Sequence, residues 1–195
     1  MIQSTASPLQ DYIKVFENIV PLDLCDALCA EFVDSGEWVD TAITGGGVYG
    51  SVDKSVRSAT TIALSRQDVM DRNRGVRSHL DASLFNVVGS AIQRYSDLYP
   101  LSGITKDTGY ELLRYEAGQF FTQHTDSSEK YNRCISCSLI LNDGYEGGEF
   151  AFFDRDFIAK TPKGSALLFP SNFMFPHEIM PVLSGTRYSV VTWFL

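Results

Sequence analysis

Residues 187–194 of this chain have the sequence RYSVVTWF, a run made largely of β-branched and aromatic residues. Such residues favour the pleated, half-buried surface of a β-strand. Four further strand-like runs follow residue 100, at residues 110–115, 133–141, 149–153 and 165–169. Turn-forming clusters containing Gly, Pro, Asn or Asp separate them, at residues 142–144, 147–148, 162–164 and 170–172. The pattern predicts an antiparallel β-sandwich or barrel in the second half of the chain.

The first half of the chain has more helical character. Short strands are predicted at residues 12–20, 38–43 and 57–64, and a helix runs from Pro21 to the Ser35-Gly36 pair. Residues 80–99 carry apolar side chains at helical spacing, which predicts a long amphipathic helix with a buried stripe that extends to Leu98. In the first helix, Val33 would belong to the buried face. We therefore expect an α+β fold, an antiparallel β-sandwich or barrel supported by N-terminal helices. A single domain would span residues 1–195, with a helix-rich support over about residues 1–100 and a β-core over about residues 105–195.

Composition and charge argue against several classes of protein. The net charge of −8 disfavours binding to nucleic acid, which requires clustered Lys and Arg. Arginines between residues 66 and 77 alternate with aspartates, so we interpret that stretch as a solvated surface. No apolar run approaches the length of a membrane span. The N-terminus lacks a basic region followed by an apolar core, so no secretory signal and a cytoplasmic location are expected.

The four cysteines predict neither a disulfide framework nor a zinc site. Cys25 and Cys29 are spaced to share one face of a helix. Cys134 and Cys137 have the CxxC spacing of metal and redox sites, but they lie in a strand-like run. An odd separation in a strand places the two thiols on opposite faces, so they could not share a metal. We interpret the cysteines as buried, reduced thiols.

Two of the three histidines lie in a pattern typical of a metal site. His124-Thr125-Asp126 is followed much later by His177. Two imidazoles and one carboxylate can occupy one face of an octahedral Fe(II) and leave three positions open. In a strand, His124 and Asp126 would point to the same face, and His177 would come from a neighbouring strand. These three residues are the predicted metal ligands, whereas His79 lies just before the apolar stripe of the long helix and is left out.

One basic residue, which could bind an anion, follows the second histidine in the sequence. Arg187 lies ten positions after His177, at the start of the strand over residues 187–194. A planar guanidinium can bind a carboxylate through two hydrogen bonds. If this strand lies beside the strand of His177, Arg187 points into the barrel at a distance suited to a five-carbon diacid.

With these segments in place, the second half of the chain resembles the prolyl 4-hydroxylase branch of the Fe(II)/2-oxoglutarate-dependent dioxygenases. The resemblance rests on the metal motif, on residues 113–119 (LRYEAGQ) and 141–150 (LNDGYEGGEF), and on residues 176–178 (PHE) and 187–188 (RY). Residues 133–137 (RCISC), and Arg187 followed by Trp193, are closer to the oxygen-sensing, HIF-type enzymes and their bacterial relatives than to the collagen type. The resemblance covers residues 110–195; the first 100 residues agree only in the order of their elements. It implies that the β-core over about residues 105–195 is a double-stranded β-helix that binds the metal.

The resemblance implies a role for each matching residue. His124, Asp126 and His177 would bind Fe(II), and together with Arg187 they would form the catalytic set. Arg187 would bind the C5 carboxylate of 2-oxoglutarate, and the hydroxyl group of Tyr115 would help to hold this cosubstrate.

Further roles concern the substrate entrance and one departure from the family. Arg133 and Trp193 would line the entrance. Relatives often have a tyrosine that contacts the C5 carboxylate just before the Leu-Asn pair, and this chain has Ile140 there. Another hydroxyl, such as that of Thr122 or Thr192, would have to replace it.

The implied reaction is 4-hydroxylation of a prolyl residue in a peptide or protein, with formation of succinate and CO2. Fe(II), 2-oxoglutarate and O2 would be required, and ascorbate is a candidate reductant. The alternatives are a hydroxylase of a free amino acid or small metabolite, a nucleic-acid repair dioxygenase, which the acidic charge disfavours, and a non-catalytic binding module. The oligomeric state, monomer or dimer, stays open. Gly45–Gly47 and residues 127–132 are candidate lids over the substrate.

Overall fold

The computed structural model describes residues 8–43, 51–100, 104 and 106–195. The helices are a 3-10 helix at Leu9–Tyr12, α1 (Leu22–Phe32), α2 (Gln67–Arg72) and α3 (Arg74–Leu98). The first strands are β1 (Lys14–Phe16), β2 (Val39–Asp40), β3 (Thr60–Ala63), β4 (Glu111–Glu116), β5 (Phe121–His124) and β6 (Ile135–Ile140). The others are β7 (Glu146–Gly147), β8 (Phe150–Phe152), β9 (Phe157–Ala159), β10 (Ala166–Pro170), β11 (His177–Ile179), β12 (Val182–Ser184) and β13 (Thr186–Phe194).

Two antiparallel sheets make up most of the fold, as predicted for the second half. The larger has seven strands in the order β1-β10-β6-β13-β4-β3-β2, and the smaller has four in the order β5-β11-β8-β9. A two-stranded ribbon pairs β12 with β7. The longest strand, β13, lies at the centre of the large sheet between β4 and β6, because its run of branched and aromatic side chains suits burial on both faces. The predicted α+β class is confirmed.

The large sheet has two differently covered faces. One face packs against α1 and α3 through a cluster that includes Leu28, Leu84, Leu139 and Leu168. The other face meets the small sheet through a second cluster, which includes Tyr115, Ile140, Phe169 and residues of β8 and β11. Alternate residues of each strand serve the two clusters because side chains in a strand point to opposite faces in turn. The second face carries the candidate site.

The helices differ from the sequence prediction in their bounds and in three side chains. The long helix begins at Arg74, about one and a half turns earlier than predicted, so that exposed His79 lies inside it. Val33 and Leu98, which were predicted to be buried, are 38% and 54% exposed because they lie at helix ends beyond the packed face.

Arg77 corrects the prediction of a solvated arginine stretch. The residue is 5% exposed, and its guanidinium donates hydrogen bonds to Glu31 at 2.7 Å and to Glu37 at 2.7 Å. The side chain therefore joins α3 both to the end of α1 and to the segment after it, and the two carboxylates offset the cost of burying its charge.

The strands of the first half are shorter than their sequence runs, at three, two and four residues, and all three join the large sheet. Sequence patterns missed β7, β9 and β12, each two or three residues long, whereas β11 is the strand that was expected to carry His177. Segments of this length are too short for a period-two pattern to register.

Cys25, Cys29, Cys134 and Cys137 are free thiols, as predicted. Cys25 and Cys137 are buried, but Cys134 precedes β6 and is exposed, which corrects its predicted burial. Burial raises the pKa of the Cys25 and Cys29 thiols to about 11, so both are protonated at neutral pH. Among the described residues no helix has the length and hydropathy needed to cross a membrane.

Candidate metal centre and cosubstrate cavity

Two histidines and one aspartate come together at the paired ends of two strands. His124 ends β5 and His177 begins β11, and the antiparallel pairing places them directly opposite each other. Asp126 follows two residues after β5. Its Oδ1 lies 3.5 Å from His124 Nε2, and its Oδ2 lies 3.6 Å from His177 Nε2. All three ligand atoms lie within 4.8 Å of one another, close enough to bind one ion.

The position of Asp126 departs from the sequence prediction in one respect. We predicted that Asp126 shares a strand with His124, but β5 ends at His124 and the aspartate lies in the following loop. The carboxylate still reaches the two imidazoles because the loop folds back, with Ser127 N–H donating to the backbone oxygen of Ser171 at 2.9 Å.

Backbone contacts fix the ring orientation of both histidines. His124 Nδ1 lies 2.9 Å from the carbonyl oxygen of Thr122, and His177 Nδ1 lies 3.1 Å from that of Phe175. A carbonyl only accepts, so Nδ1 carries the hydrogen in each neutral ring and Nε2 presents a lone pair. Metal-ligating histidines commonly donate their second ring N–H in this way. The donor set therefore fits a divalent metal such as Fe(II).

Two serines hold the carboxylate of Asp126. Ser136 on β6 donates a hydrogen bond to its Oδ2 at 2.6 Å, and Ser136 Oγ lies 2.8 Å from Ser171 Oγ. Burial opposes ionisation of Asp126, but His177, His124 and Ser136 outweigh it and hold the pKa below its ordinary value. Burial and the neighbouring His124 lower the pKa of His177 to about 4. Both groups are thus in their metal-binding protonation states at neutral pH.

Aromatic rings surround the two imidazoles. Phe121 stacks on His124 with ring centroids 3.5 Å apart. Phe169 meets His177 edge to face at 4.6 Å, and Phe152 lies 5.6 Å from the same ring. These contacts limit ring rotation and exclude water from one side of the cluster, which strengthens electrostatic interactions there.

Arg187 lines the same cavity as the three candidate ligands. Its side chain is 1% exposed, and Nη1 donates to Ser189 Oγ at 2.9 Å. Nε and Nη2 are buried and find no acceptor among the described residues. The guanidinium lies 5.1 Å from the ring centroid of Phe150 and 5.7 Å from that of Tyr115. A buried cation with two free donors is costly to maintain, so it marks a site for an anion.

The strand that carries Arg187 does not lie where we predicted. We expected β13 beside the strand of His177, but β13 pairs with β4 and β6 in the large sheet, whereas β11 belongs to the small sheet. Arg187 therefore faces the metal cluster from across the sandwich. Gly148 makes room for it, because a Cβ at this position would lie 3.0 Å from Arg187 Cδ. The absence of a side chain at Gly148 thus leaves space for the side chain of Arg187.

Of four other residues that the sequence predicts to bind cosubstrate or substrate, three line the cavity and one does not. Tyr115 is 1% exposed and lines the cavity, as do Arg133 and Trp193, which stack with the guanidinium 3.5 Å from the ring centroid. Thr192 does not line it. Position 192 is an odd number of residues from Arg187, so its side chain points to the helix-covered face with those of Val190 and Phe194. The structure therefore does not bring Thr192 together with the other predicted cosubstrate residues.

Two serines that were not predicted from the sequence line the cavity together with Arg187. Ile140 is fully buried in the cluster between the sheets and does not line the cavity, and neither does Thr122. Ser189 and Ser138 do line it, and Ser138 Oγ is buried without a partner among the described residues. Strand parity would have found both, since Ser189 lies two residues after Arg187 and Ser138 lies two residues before Ile140.

Of the two candidate lids, the structure describes only residues 127–132. Gly45–Gly47 lies outside the described residues. Residues 127–132 form a turn in which Ser128 and Tyr131 exchange backbone hydrogen bonds of 3.0 Å. Their closure over a substrate stays a prediction.

Comparison with known proteins agrees with this geometry. A family model described as the 2OG-Fe(II) oxygenase superfamily matches residues 110–195. A PKHD-type hydroxylase from Methylobacterium nodulans is 24% identical over 182 residues, which is 86% of this chain and 71% of the relative. A PKHD-type hydroxylase from Burkholderia lata is 28% identical over 183 residues, with the same two coverages of 86% and 71%.

Solved structures show the same fold. A prolyl hydroxylase from Trichoplax adhaerens, in complex with a peptide fragment of the hypoxia inducible factor oxygen degradation domain, has a TM-score of 0.77 at 18% identity and covers 94% of this chain and 83% of its own. A prolyl-4-hydroxylase from Pseudomonas putida has a TM-score of 0.65 at 22% identity, with coverages of 94% and 92%. The predicted double-stranded β-helix is confirmed.

The family match and the site coincide. The matched segment contains every strand from β4 to β13 and with them the two histidines, the aspartate and Arg187. The predicted resemblance is confirmed. Residues 110–195 match the 2OG-Fe(II) oxygenase superfamily, and this match, the PKHD-type hydroxylase relatives and the His-Asp-His cluster support a dioxygenase that uses Fe(II), 2-oxoglutarate and O2.

Proposed function

We propose that the protein hydroxylates a prolyl residue in a peptide or protein at C4, with conversion of 2-oxoglutarate and O2 to succinate and CO2. The observation that carries the proposal is that one cavity joins a two-histidine, one-carboxylate cluster to a buried arginine with free donors. The prolyl hydroxylases among the structural neighbours support the choice of substrate.

His124, Asp126 and His177 would hold Fe(II), and Asp126 and His177 are already in the protonation states that bind a metal. Bound there, Fe(II) supplies the activation of O2 that couples decarboxylation of 2-oxoglutarate to hydroxylation of the substrate. The chain's own contribution is to orient the ligands through Thr122 O and Phe175 O, to fix the carboxylate through Ser136, and to exclude water.

Arg187 would bind the C5 carboxylate of 2-oxoglutarate. Its Nε and Nη2 are the free donors, and the contact from Nη1 to Ser189 fixes the plane of the guanidinium. The hydroxyls of Ser138 and Tyr115 line the same cavity. We propose that Ser138 takes over the hydrogen bond that relatives obtain from a tyrosine at the position of Ile140.

Arg133 and Trp193 would contact the substrate. The two side chains stack on each other, and Arg133 Nη1 also donates to the backbone oxygen of Asp126 at 3.3 Å. This pair is therefore rigid and adjacent to the metal cluster, a suitable wall for the ring of a proline.

The test measures binding and turnover separately. Co(II) or Mn(II) binding is followed by calorimetry, and succinate formation is followed with Fe(II), 2-oxoglutarate and ascorbate. Mass spectrometry of proline-containing peptides then seeks the gain of one oxygen atom. We expect His124→Ala to abolish metal binding and succinate formation, whereas His79→Ala, at an exposed position of α3, retains both.

Three outcomes would contradict the proposal at different levels. Full succinate formation by His124→Ala would remove the metal assignment. No 2-oxoglutarate turnover by the metal-loaded protein would remove the reaction. Oxidation of a free amino acid or metabolite, with no oxidised peptide, would leave the dioxygenase reaction in place and replace the substrate.

A further inference from the structure

Two arginines besides Arg187 line the cavity, and the cosubstrate does not account for them. Arg57 and Arg133 are half-buried, whereas Arg187 is 1% exposed, so they lie nearer to solvent. The guanidinium of Arg57 lies 4.5 Å from the ring centroid of Phe121, the ring that stacks on His124. Both cations therefore adjoin the metal cluster at the mouth of the cavity.

Neither arginine is neutralised by the protein. Among the described residues no carboxylate oxygen lies within 4.0 Å of either guanidinium. The Nε atoms of Arg57 and Arg133 are buried and have no hydrogen-bond partner there. This chain has 24 acidic residues against 16 basic ones, and elsewhere its arginines find carboxylates readily, as Arg77 and Arg155 do. Arg57 and Arg133 thus combine partial burial with the lack of a carboxylate partner, although the protein is acidic.

Both cations line the same cavity, so each repels the other. Glu111 lines the cavity too, but it forms no ion pair with either arginine. Aromatic stacking holds both guanidiniums in place. An anion placed between them would satisfy the free donors and remove the repulsion.

We propose that Arg57 and Arg133 form a carboxylate subsite, and that the substrate carries a negative charge close to the carbon that is hydroxylated. The inference rests on the proposed function and adds the charge of the substrate to it. The carboxylate has two potential sources: the side chain of Asp or Glu beside the target proline in a peptide, or the α-carboxylate of a terminal residue or free amino acid.

Matched ligands distinguish these sources. Three peptides with the sequence acetyl-Gly-Pro-X-Gly-amide carry Glu, Gln or Lys at X, and free L-proline is compared with L-prolinamide. Affinities for the Mn(II)- and 2-oxoglutarate-loaded protein without O2 are measured by calorimetry, and KM and kcat are measured with Fe(II) in air. We expect the Glu peptide, or proline over prolinamide, to bind about tenfold more tightly than its uncharged counterpart.

Variants assign this preference to the two arginines. Arg57→Gln should remove most of the tenfold preference through KM, with kcat changed by less than about threefold, because uniform binding is lost. Arg57→Glu should reverse the preference toward the Lys peptide. Arg133→Gln should act in the same direction as Arg57→Gln. Arg94→Gln is the matched control, since Arg94 lies at an exposed position of α3, over the ring of Phe16 on β1 and outside the cavity.

The results separate this inference from the proposed function. If the wild-type protein binds Mn(II) and turns over 2-oxoglutarate, but treats acidic and neutral ligands alike or binds none of the carboxylate ligands, the subsite is refuted and the dioxygenase function stands. Loss of metal binding or of 2-oxoglutarate turnover in the wild type contradicts the function itself. A charge preference that survives in Arg57→Glu also refutes the subsite.

Discussion

The two faces of the seven-stranded sheet differ in how they treat polar groups. The face covered by α1 and α3 is packed with Leu, Val, Ile and Cys side chains from alternate positions of β4, β6, β10 and β13. The opposite face carries Ser136, Ser138, Arg187 and Ser189 on the same strands, and several of their donors have no partner among the described residues. The helix-covered face is mainly apolar, with the hydroxyl of Thr192 as an unpartnered polar group, while the opposite face retains several unsatisfied polar groups that a ligand would satisfy.

The largest expected effects come from neighbouring residues of β10 that point to opposite faces. Leu168 is fully buried on the helix-covered face, and Phe169 packs on His177 from the cavity face. Leu168→Ala should lower the free energy of unfolding by about 2–5 kcal/mol, with 2-oxoglutarate affinity unchanged. Phe169→Ala should cost about 3–5 kcal/mol and also weaken metal binding. Denaturant unfolding and calorimetry measure both, and equal binding losses in the two variants would contradict the division of the faces.

The second prediction concerns Arg187, the most buried cation of the cavity face. Arg187→Met removes charge-assisted hydrogen bonds to the cosubstrate, so 2-oxoglutarate affinity should fall by about 100-fold or more. The same change removes an unpaired buried charge, so the metal-free variant should be more stable than wild type by about 1–3 kcal/mol. Calorimetry and thermal unfolding test the two parts. A variant that is both less stable and unimpaired in binding would show that the arginine is structural.

The third prediction is the pH dependence of the metal-free protein. The folded-state pKa of His177 is lowered to about 4, below its ordinary value of 6.5, and that of Asp126 is lowered too. The unfolded chain therefore binds more protons than the folded one as pH falls, first at His177 and then at Asp126. The contribution of His177 to the free energy of unfolding should be fully present above about pH 6.5. It should decline toward pH 4, by at most about 3 kcal/mol.

Variants at two histidines test the source of that decline. Denaturant unfolding across the same pH range should give a flatter curve for His177→Asn than for wild type. His79→Asn, at an exposed position on α3, should leave the curve as it is. A curve unaffected by His177→Asn would assign the decline to other groups.

The smallest effect compares two buried hydroxyls that both lack a partner among the described residues. Ser138 lines the cavity, whereas Thr192 points to the helix-covered face. Ser138→Ala should weaken 2-oxoglutarate binding by about three- to tenfold, the value of one hydrogen bond. Thr192→Val should leave it unchanged. Calorimetry on both variants decides, and a loss confined to Thr192→Val would restore the role that the sequence first suggested for it.

Much of the fold was predictable from the sequence because its longest strands are strongly patterned. The runs that became β4, β6, β10 and β13 show branched and aromatic residues bounded by turns. The ligand set was also predictable, since two histidines and an aspartate in a chain with so few histidines leave little choice. The pairing that brings His177 opposite His124 is a contact over a long sequence separation, and only the folded sheet supplies it.

Other features depended on tertiary structure. The side of the sandwich from which Arg187 faces the metal cluster follows from strand order, which the local sequence does not encode. Asp126 lies off the strand because the loop after β5 is held by Ser171, from the end of β10. The placement of Thr192 away from the cavity, by contrast, could be predicted, because strand parity separates it from Arg187 without any structure.

The antiparallel register of β5 and β11 has a consequence for folding. His177 faces the cavity while its neighbour Glu178 faces outward and pairs with Arg155. A slip of one residue would exchange these two faces and remove an imidazole from the cluster. A divalent ion held by both strands can therefore bind only one of the alternative alignments. Metal binding would therefore stabilise the native register of β5 and β11 over the shifted one. Chains that fold in the presence of the metal should reach the native pairing in higher yield.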